Sequence, residues 1–443
     1  MSDNLHPARP PLPRPVRAGP RPLPLHLATA NLILLSSLAA WPNARRASLP
    51  WNPLWREQIE NLAPLLDAAD PNEFAAALMR AATTRLTAMT GGMLRYRRHD
   101  WRRDLPDPPA IWGEGGSRLL DYGGEGAPVV MVPSLVNRAY VLDLAAGQSL
   151  ARFLPGQGLR PLLLDWGEPG EAELRFDLAA YIARLQRVLA FSRRTFGAAP
   201  LLLGYCMGGN LALAAALRSP GDVAALALLA TPWDFHAGGT HQAALVQALA
   251  PNLVPPDASG HGAAAGGPPP PLAVDVLQGF FWALDPLTAL KKFSLFIAMP
   301  EGGENERRFI AMEDWLNDGV PLAGPVAREC LLGWYGANTP PQGRWMVDGM
   351  AVRPQEWRKP ALVVLPERDK LVPKEGAAAL AAQLPAADRI DAPSGHIGMV
   401  VGPRAEAGLW RPLAAWLQRH GARLEPARRS RVRSGRGPTK VQA

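Results

Sequence analysis

Residues 201–210 read LLLGYCMGGN: a short apolar run, then one of only two cysteines in 443 residues, then paired glycines. LALAAAL (211–217) follows, so the stretch reads as a strand, a tight turn and a segment of strong helix formers. At its centre, Gly204-Tyr205-Cys206-Met207-Gly208 has the pattern small-x-nucleophile-x-small. A turn this sharp has no room for side chains at its flanks, and it lifts the central residue above the sheet at a helix N-terminus. There the aligned peptide dipoles favour a thiolate. A buried cysteine is also an ordinary small hydrophobe, so the motif alone leaves an unrelated glycine-rich turn open. No G-K-[ST] follows it, which sets a phosphate loop aside.

Runs of the same style lie on either side. VVMVP (129–133), RPLLLDW (160–166), VAALALLATP (223–232) and ALVVLP (361–366) are short and apolar, and each ends in turn or polar residues. Helical stretches such as FDLAAYIARLQRVLAFSRRTF (176–196) separate them. Near-continuous apolar strands alternating with helices predict an α/β fold, with a mainly parallel sheet covered on both faces. The alternation breaks over 236–358. That interval holds the Pro/Gly-rich stretch 251–271, then helical LDPLTALKKFSLF (284–296) and RRFIAMEDWLNDG (307–319). Helical material inserted between strands of a parallel sheet is expected to cap the strand ends. The expected core is therefore split into 115–235 and 359–419.

An elbow nucleophile needs an acid after a later strand and a histidine beyond it. ALVVLPERDKLVP (361–373) offers Asp369, and DAPSGHIGMVVG (391–402) offers His396, 27 positions further on. Cys206, Asp369 and His396 thus occur in the required order. His396 would take the thiol proton, and Asp369 would orient the ring. The Met207 amide, with that of Ser134 or Leu135 after the first strand, would bind the oxyanion. Asp165 is a competing acid, but it precedes the cysteine and follows the wrong strand, so it reads as structural. Cys330, in helical ARECLLGW, reads as packing. The eight histidines lack metal-ligand spacing, so no metal is expected.

The ends differ from the body. Residues 1–25 are Pro/Arg-rich and read as a disordered leader; 26–114 read as a helical N-terminal region containing NEFAAALMRAATTRLTAM (72–89). Residues 420–443 read as a basic, disordered tail, and these two ends account for the formal charge of +8. Neither end carries a base-reading motif or interleaved aromatics, so no specific nucleic acid is expected. The apolar stretch 27–41 is shorter than a membrane span, and its long leader is unlike a signal peptide. It is expected to pack on the body or lie at an interface. Two cysteines without a C-x-x-C pair fit a reducing, cytoplasmic setting.

Several segments resemble the polyhydroxyalkanoate synthase family, especially its shorter two-component members. They are VPSLVNRAYVLDL (132–144), LLLDWGEPG (162–170), GYCMGG (204–209), ATPWDF (230–235) and GHIGMVVG (395–402). The resemblance implies an α/β-hydrolase fold with a helical cap, and it places the family's catalytic residues on Cys206, Asp369 and His396. It further implies polymerisation of (R)-3-hydroxyacyl-CoA onto a growing polyester, with release of CoA and no cofactor. A homodimer or a second synthase subunit, and the surface of a polymer granule, are the implied partners. A cysteine hydrolase on the same frame, such as a thioesterase or polyester depolymerase, and a non-catalytic granule protein are the rival readings.

Overall fold

The computed structural model describes residues 16–45, 53–238 and 268–421, together with 244 and 248. Ten strands occur among them: β1 (Ala110–Glu114), β2 (Ser117–Asp121), β3 (Ala127–Val132), β4 (Leu159–Asp165), β5 (Leu201–Tyr205), β6 (Leu226–Leu229), β7 (Met346–Val347), β8 (Met350–Ala351), β9 (Ala361–Pro366) and β10 (Ala387–Ala392). Eight form one sheet in the order β1-β2-β4-β3-β5-β6-β9-β10, and β7 and β8 form a separate hairpin. β1, β2 and β4 run antiparallel to their neighbours in turn, and every pairing from β4 to β10 is parallel. Each apolar run expected as a strand is one. Every residue of β3, β5, β6 and β9 is buried, as a strand covered on both faces requires.

The helices are α1 (Leu23–Arg45), α2 (Pro53–Ala68), α3 (Pro71–Arg98), α4 (Leu150–Phe153), α5 (Leu178–Phe196), α6 (Met207–Arg218), α7 (Val274–Leu284), α8 (Thr288–Phe296) and α9 (Glu304–Asn317), followed by shorter segments to His420. One face of the sheet packs α5 and α6 through Ile182, Leu185, Leu189 and Leu211. The other packs the C-terminal helix, Arg411–His420, through Leu413, Trp416 and Leu417. Between β6 and β9 stand α7, α8, α9 and a π-helical turn, Glu329–Gly336, which together make the expected cap.

The cap rests on the N-terminal region. Met89, Met93 and Tyr96 of α3 share a core with Phe293, Phe296 and Phe309, where the last two rings stack at 4.3 Å. Gly92 permits this approach, because a Cβ there would lie 2.1 Å from the Phe293 carbonyl oxygen. Ala30 and Leu34 of α1 reach the same region, while Leu32 and Leu35 face outward. Among the described residues, no helix is long and apolar enough to cross a membrane.

Three expected boundaries change. Residues 16–25, expected to be disordered, lie against the fold, and Arg17 is buried. Its Nε donates to Asp314 Oδ1 at 2.6 Å, and its guanidinium also serves the carbonyls of His99 and Trp101. Single long-range partners impose this order, and local composition carries no trace of them. The main sheet begins at Ala110 within the expected helical region, because β1 pairs with β2 as a short edge strand. α3 runs from 71 to 98 and thus extends past the expected helical stretch. Residues 1–15, 251–267 and 422–443 lie outside the described residues, and with them much of the leader, the Pro/Gly-rich insertion and the basic tail.

Candidate active site

Cys206 sits between β5 and α6 with φ +56° and ψ −131°, a conformation that an L-residue adopts only under constraint. Its neighbours supply the constraint. The Cys206 amide donates to the Leu229 carbonyl at 2.8 Å, and its own carbonyl accepts from Gly209 N at 2.9 Å. The glycines are steric requirements. A Cβ on Gly204 would stand 2.4 Å from Gly209 Cα; on Gly208, 2.2 Å from the Val132 carbonyl oxygen; on Gly209, 1.9 Å from Thr231 Oγ1. α6 is therefore pressed against β3 and β5, with Cys206 at its N-cap.

The loop after β9 carries Asp369, whose side chain is fully buried. Its Oδ1 accepts from the amides of Leu371 and Val372 at 2.7 and 2.9 Å, which fixes the carboxylate plane. The Nδ1–H of His396 donates to Asp369 Oδ2 at 2.6 Å. With Nδ1 so engaged, the other ring nitrogen is left free of Asp369, and the ring lines the same cavity as Cys206. Burial works to lower the His396 pKa. The neighbouring Cys206 and Asp369, with the hydrogen bond to the latter, outweigh it and raise the value to about 10. The ring thus favours its protonated form beside the Asp369 carboxylate.

Residues 206, 369 and 396, separate in sequence, open on one cavity of about 540 Å³. Its floor is the elbow and the loop after β3; its roof is the cap, including Phe281, Trp282, Trp334 and Tyr335. Apolar and aromatic surface dominates, which suits an apolar ligand and disfavours water. Met207 and Ser134 line the cavity, whereas the Leu135 side chain turns into the core beneath. Asp165 is not part of the lining: it pairs with Arg118 at 2.8 Å and accepts from Gly167 N. Cys330 is buried at the cavity wall. Burial pushes its thiol well above the ordinary range, and the nearby Glu329 charge adds to this, so it stays a protonated packing group.

Sequence reasoning missed three groups. Tyr205, the variable residue of the elbow, donates its hydroxyl to the His396 carbonyl at 3.2 Å, with the rings 5.2 Å apart. It ties the histidine loop to the elbow strand. Asp143 is fully buried at the end of the VLDL stretch and gathers Arg103, Arg152, Ser149 and Tyr122 at 2.7 to 3.0 Å. An aspartate amid Val and Leu was the available signal. Pro20, Arg21 and His26 also line the cavity, and no local pattern announces them.

The family model described as the alpha/beta hydrolase fold matches residues 127–262. A poly(3-hydroxyalkanoate) polymerase subunit PhaC of Synechocystis sp. is 30% identical over 308 residues, covering 66% of this chain and 77% of that one. The protein of the same name from Haloferax mediterranei is 30% identical over 320 residues, covering 69% of this chain. The match spans 62% of the length of that relative. Among solved structures, an alpha/beta hydrolase fold protein from Nakamurella multipartita aligns with 72% of this chain and 100% of its own. Its identity is 18% and its TM-score 0.41.

Proposed function

The chain belongs to the polyhydroxyalkanoate synthase family of the α/β-hydrolase superfamily, and we propose that it polymerises (R)-3-hydroxyacyl-CoA through a thioester on Cys206. The observation that carries this reading is one imidazole, His396, hydrogen-bonded to Asp369 at 2.6 Å on an apolar cavity that Cys206 also lines.

The cycle follows from the geometry. Cys206 Sγ, its proton held by His396, attacks the acyl-CoA carbonyl carbon. The oxyanion is met by the Met207 amide and by that of Ser134 or Leu135. When the C–S bond to CoA breaks, the His396 proton leaves with the CoA thiol. In the second half, the hydroxyl of another hydroxyacyl unit gives its proton to His396. Its oxygen bonds the Cys206-bound carbonyl carbon, the C–S bond to Cys206 breaks, and the proton returns to the sulfur side of the pair. Asp369 keeps the ring in one tautomer and stabilises its charge.

Cysteine suits this task. Transfer from CoA to Cys206 exchanges one thioester for another, so the acyl group stays activated. The downhill step, thioester to oxyester, is reserved for elongation. No cofactor enters the cycle. On this reading the protein works in the cytoplasm at the surface of its polymer, beside a second subunit or a second copy. The outward-facing Leu32, Leu35, Leu62 and Leu65 of α1 and α2 support such a contact.

The test is product analysis. The protein is incubated with 3-hydroxybutyryl-CoA, thiol release is followed, and polymer and free acid are quantified. Polymer as the main product is expected. Free acid alone overturns the synthase reading in favour of a hydrolase, and no acyl adduct on Cys206 overturns covalent catalysis.

A further inference from the structure

Residues 17–26 are stitched to the cap at several points. Arg17 is anchored on Asp314, the Arg21 amide donates to Asn317 Oδ1 at 2.7 Å, and Arg21 Nε donates to Asp275 Oδ1 at 2.8 Å. A Cβ on Gly19 would stand 2.4 Å from Asn317 Cγ, so the segment lies directly on α9. The consequence is a cavity wall: Pro20, Arg21 and His26 face the same space as Cys206.

His26 is the informative member. Its Nε2 stands 3.1 Å from the Arg21 carbonyl oxygen. A carbonyl only accepts, so Nε2 carries the hydrogen and the neutral ring presents a bare Nδ1 lone pair. That Nδ1 is buried and has no hydrogen-bond partner among the described residues. Burial holds the ring pKa below its ordinary value; the Arg21 bond opposes this and the Lys292 charge adds to it, so the ring is neutral at pH 7. Lys292 also lines the cavity, and its ammonium is engaged by Glu313 at 2.6 Å. A buried acceptor left empty is costly, and a rotation of the ring toward the cavity it lines would bring this atom within reach of a ligand's donor.

We propose that His26 Nδ1 accepts a hydrogen bond from an N–H or O–H donor of the bound acyl-CoA, making the first turn of α1 part of the substrate site. This rests on the thioester reading above. An acyl-CoA brings two sources of donor here, the amides and hydroxyl of the pantetheine arm and the 3-hydroxyl of the acyl group. A polyester interior brings none, so the contact favours the incoming monomer over the chain body.

The test compares full-length wild type with His26→Phe, which keeps a ring and removes the acceptor, and with His26→Asn, which restores one. Thiol release gives kcat/KM for 3-hydroxybutyryl-CoA and for the 3-hydroxybutyryl ethyl thioester, which has no amide. It is also measured for butyryl-CoA, which has no 3-hydroxyl. In His26→Phe the preference for 3-hydroxybutyryl-CoA over one of the other two substrates is expected to fall about tenfold or more, and His26→Asn recovers it. A fall against the ethyl thioester assigns the donor to the CoA arm, and a fall against butyryl-CoA assigns it to the 3-hydroxyl. Both preferences staying within twofold of wild type would overturn the proposal, as would a loss shared equally by all three substrates. Thiol release is read independently of product, so a hydrolase outcome above remains distinguishable from failure here.

Discussion

The floor and the roof of the cavity are built on different principles. The floor comes from strand ends and short turns: the elbow after β5, Asp369 after β9 and the His396 loop after β10. Each is held by nearby backbone, as where Asp369 accepts two amides within three residues of itself. The roof comes from helices and a leader held by side chains from distant parts of the chain, in the core of α3 with Phe293 and Phe309 and in the pair of Arg17 with Asp314. A reacting atom needs position to a fraction of an ångström, which a rigid sheet supplies. A cover that admits monomer and releases a growing chain needs fewer and more separable contacts.

The comparison breaks most visibly at the floor. Cys206→Ala should abolish thiol release from 3-hydroxybutyryl-CoA, by roughly 10⁴-fold or more, while the melting temperature stays close to wild type. Residual turnover at a tenth of wild type would mean that another group carries the acyl unit. Next, Asp369→Asn should keep the fold and lower kcat by about 10²–10⁴-fold, because the ring loses its fixed tautomer and its charge partner. Single-turnover release of CoA measures this, and a change under threefold would put the orienting carboxylate elsewhere.

A roof variant should act differently. Arg17→Met leaves Asp314 and two carbonyls without their cation, a loss of about 3 kcal/mol. Hydrogen exchange should show this loss in residues 16–45 and α9, while the amides of β5 and β9 stay protected. Equal loss of protection in the sheet would show that roof and floor unfold as one. The smallest effect is a pH dependence at the floor. The folded-state pKa of His396, about 10, lies above its ordinary 6.5. Its protonated ring therefore contributes stability in full below about pH 6.5, and the contribution is lost as pH rises toward 10. The excess melting temperature of wild type over His396→Gln should narrow across that window. A constant excess would place the ring's partners elsewhere.

The same division explains what could be read from the sequence. Strands buried on both faces are runs of Val and Leu, and the elbow's glycines are forced by contacts within a few residues, so both leave local marks. Asp369 was legible because its loop follows such a strand, and His396 because it comes next in the fixed order of an elbow's partners, although β10 before it is largely exposed. The leader was not, because proline-rich composition without periodicity looks the same whether or not a buried partner waits nearly 300 residues away. β1 was hidden by its brevity, and Asp143 by having its four partners scattered from Arg103 to Arg152. Tyr205 and His26 bind backbone carbonyls, which no residue pattern identifies.

The contact between Arg17 and Asp314 joins positions 297 apart in the chain. At roughly 5–20 residues per second on the ribosome, the leader waits on the order of 15–60 s for its partner to be made. During that interval α1 has α3 to pack on but lacks the cap that completes their shared core. Swapping codons to slow translation between residues 99 and 314 should therefore raise the aggregated fraction.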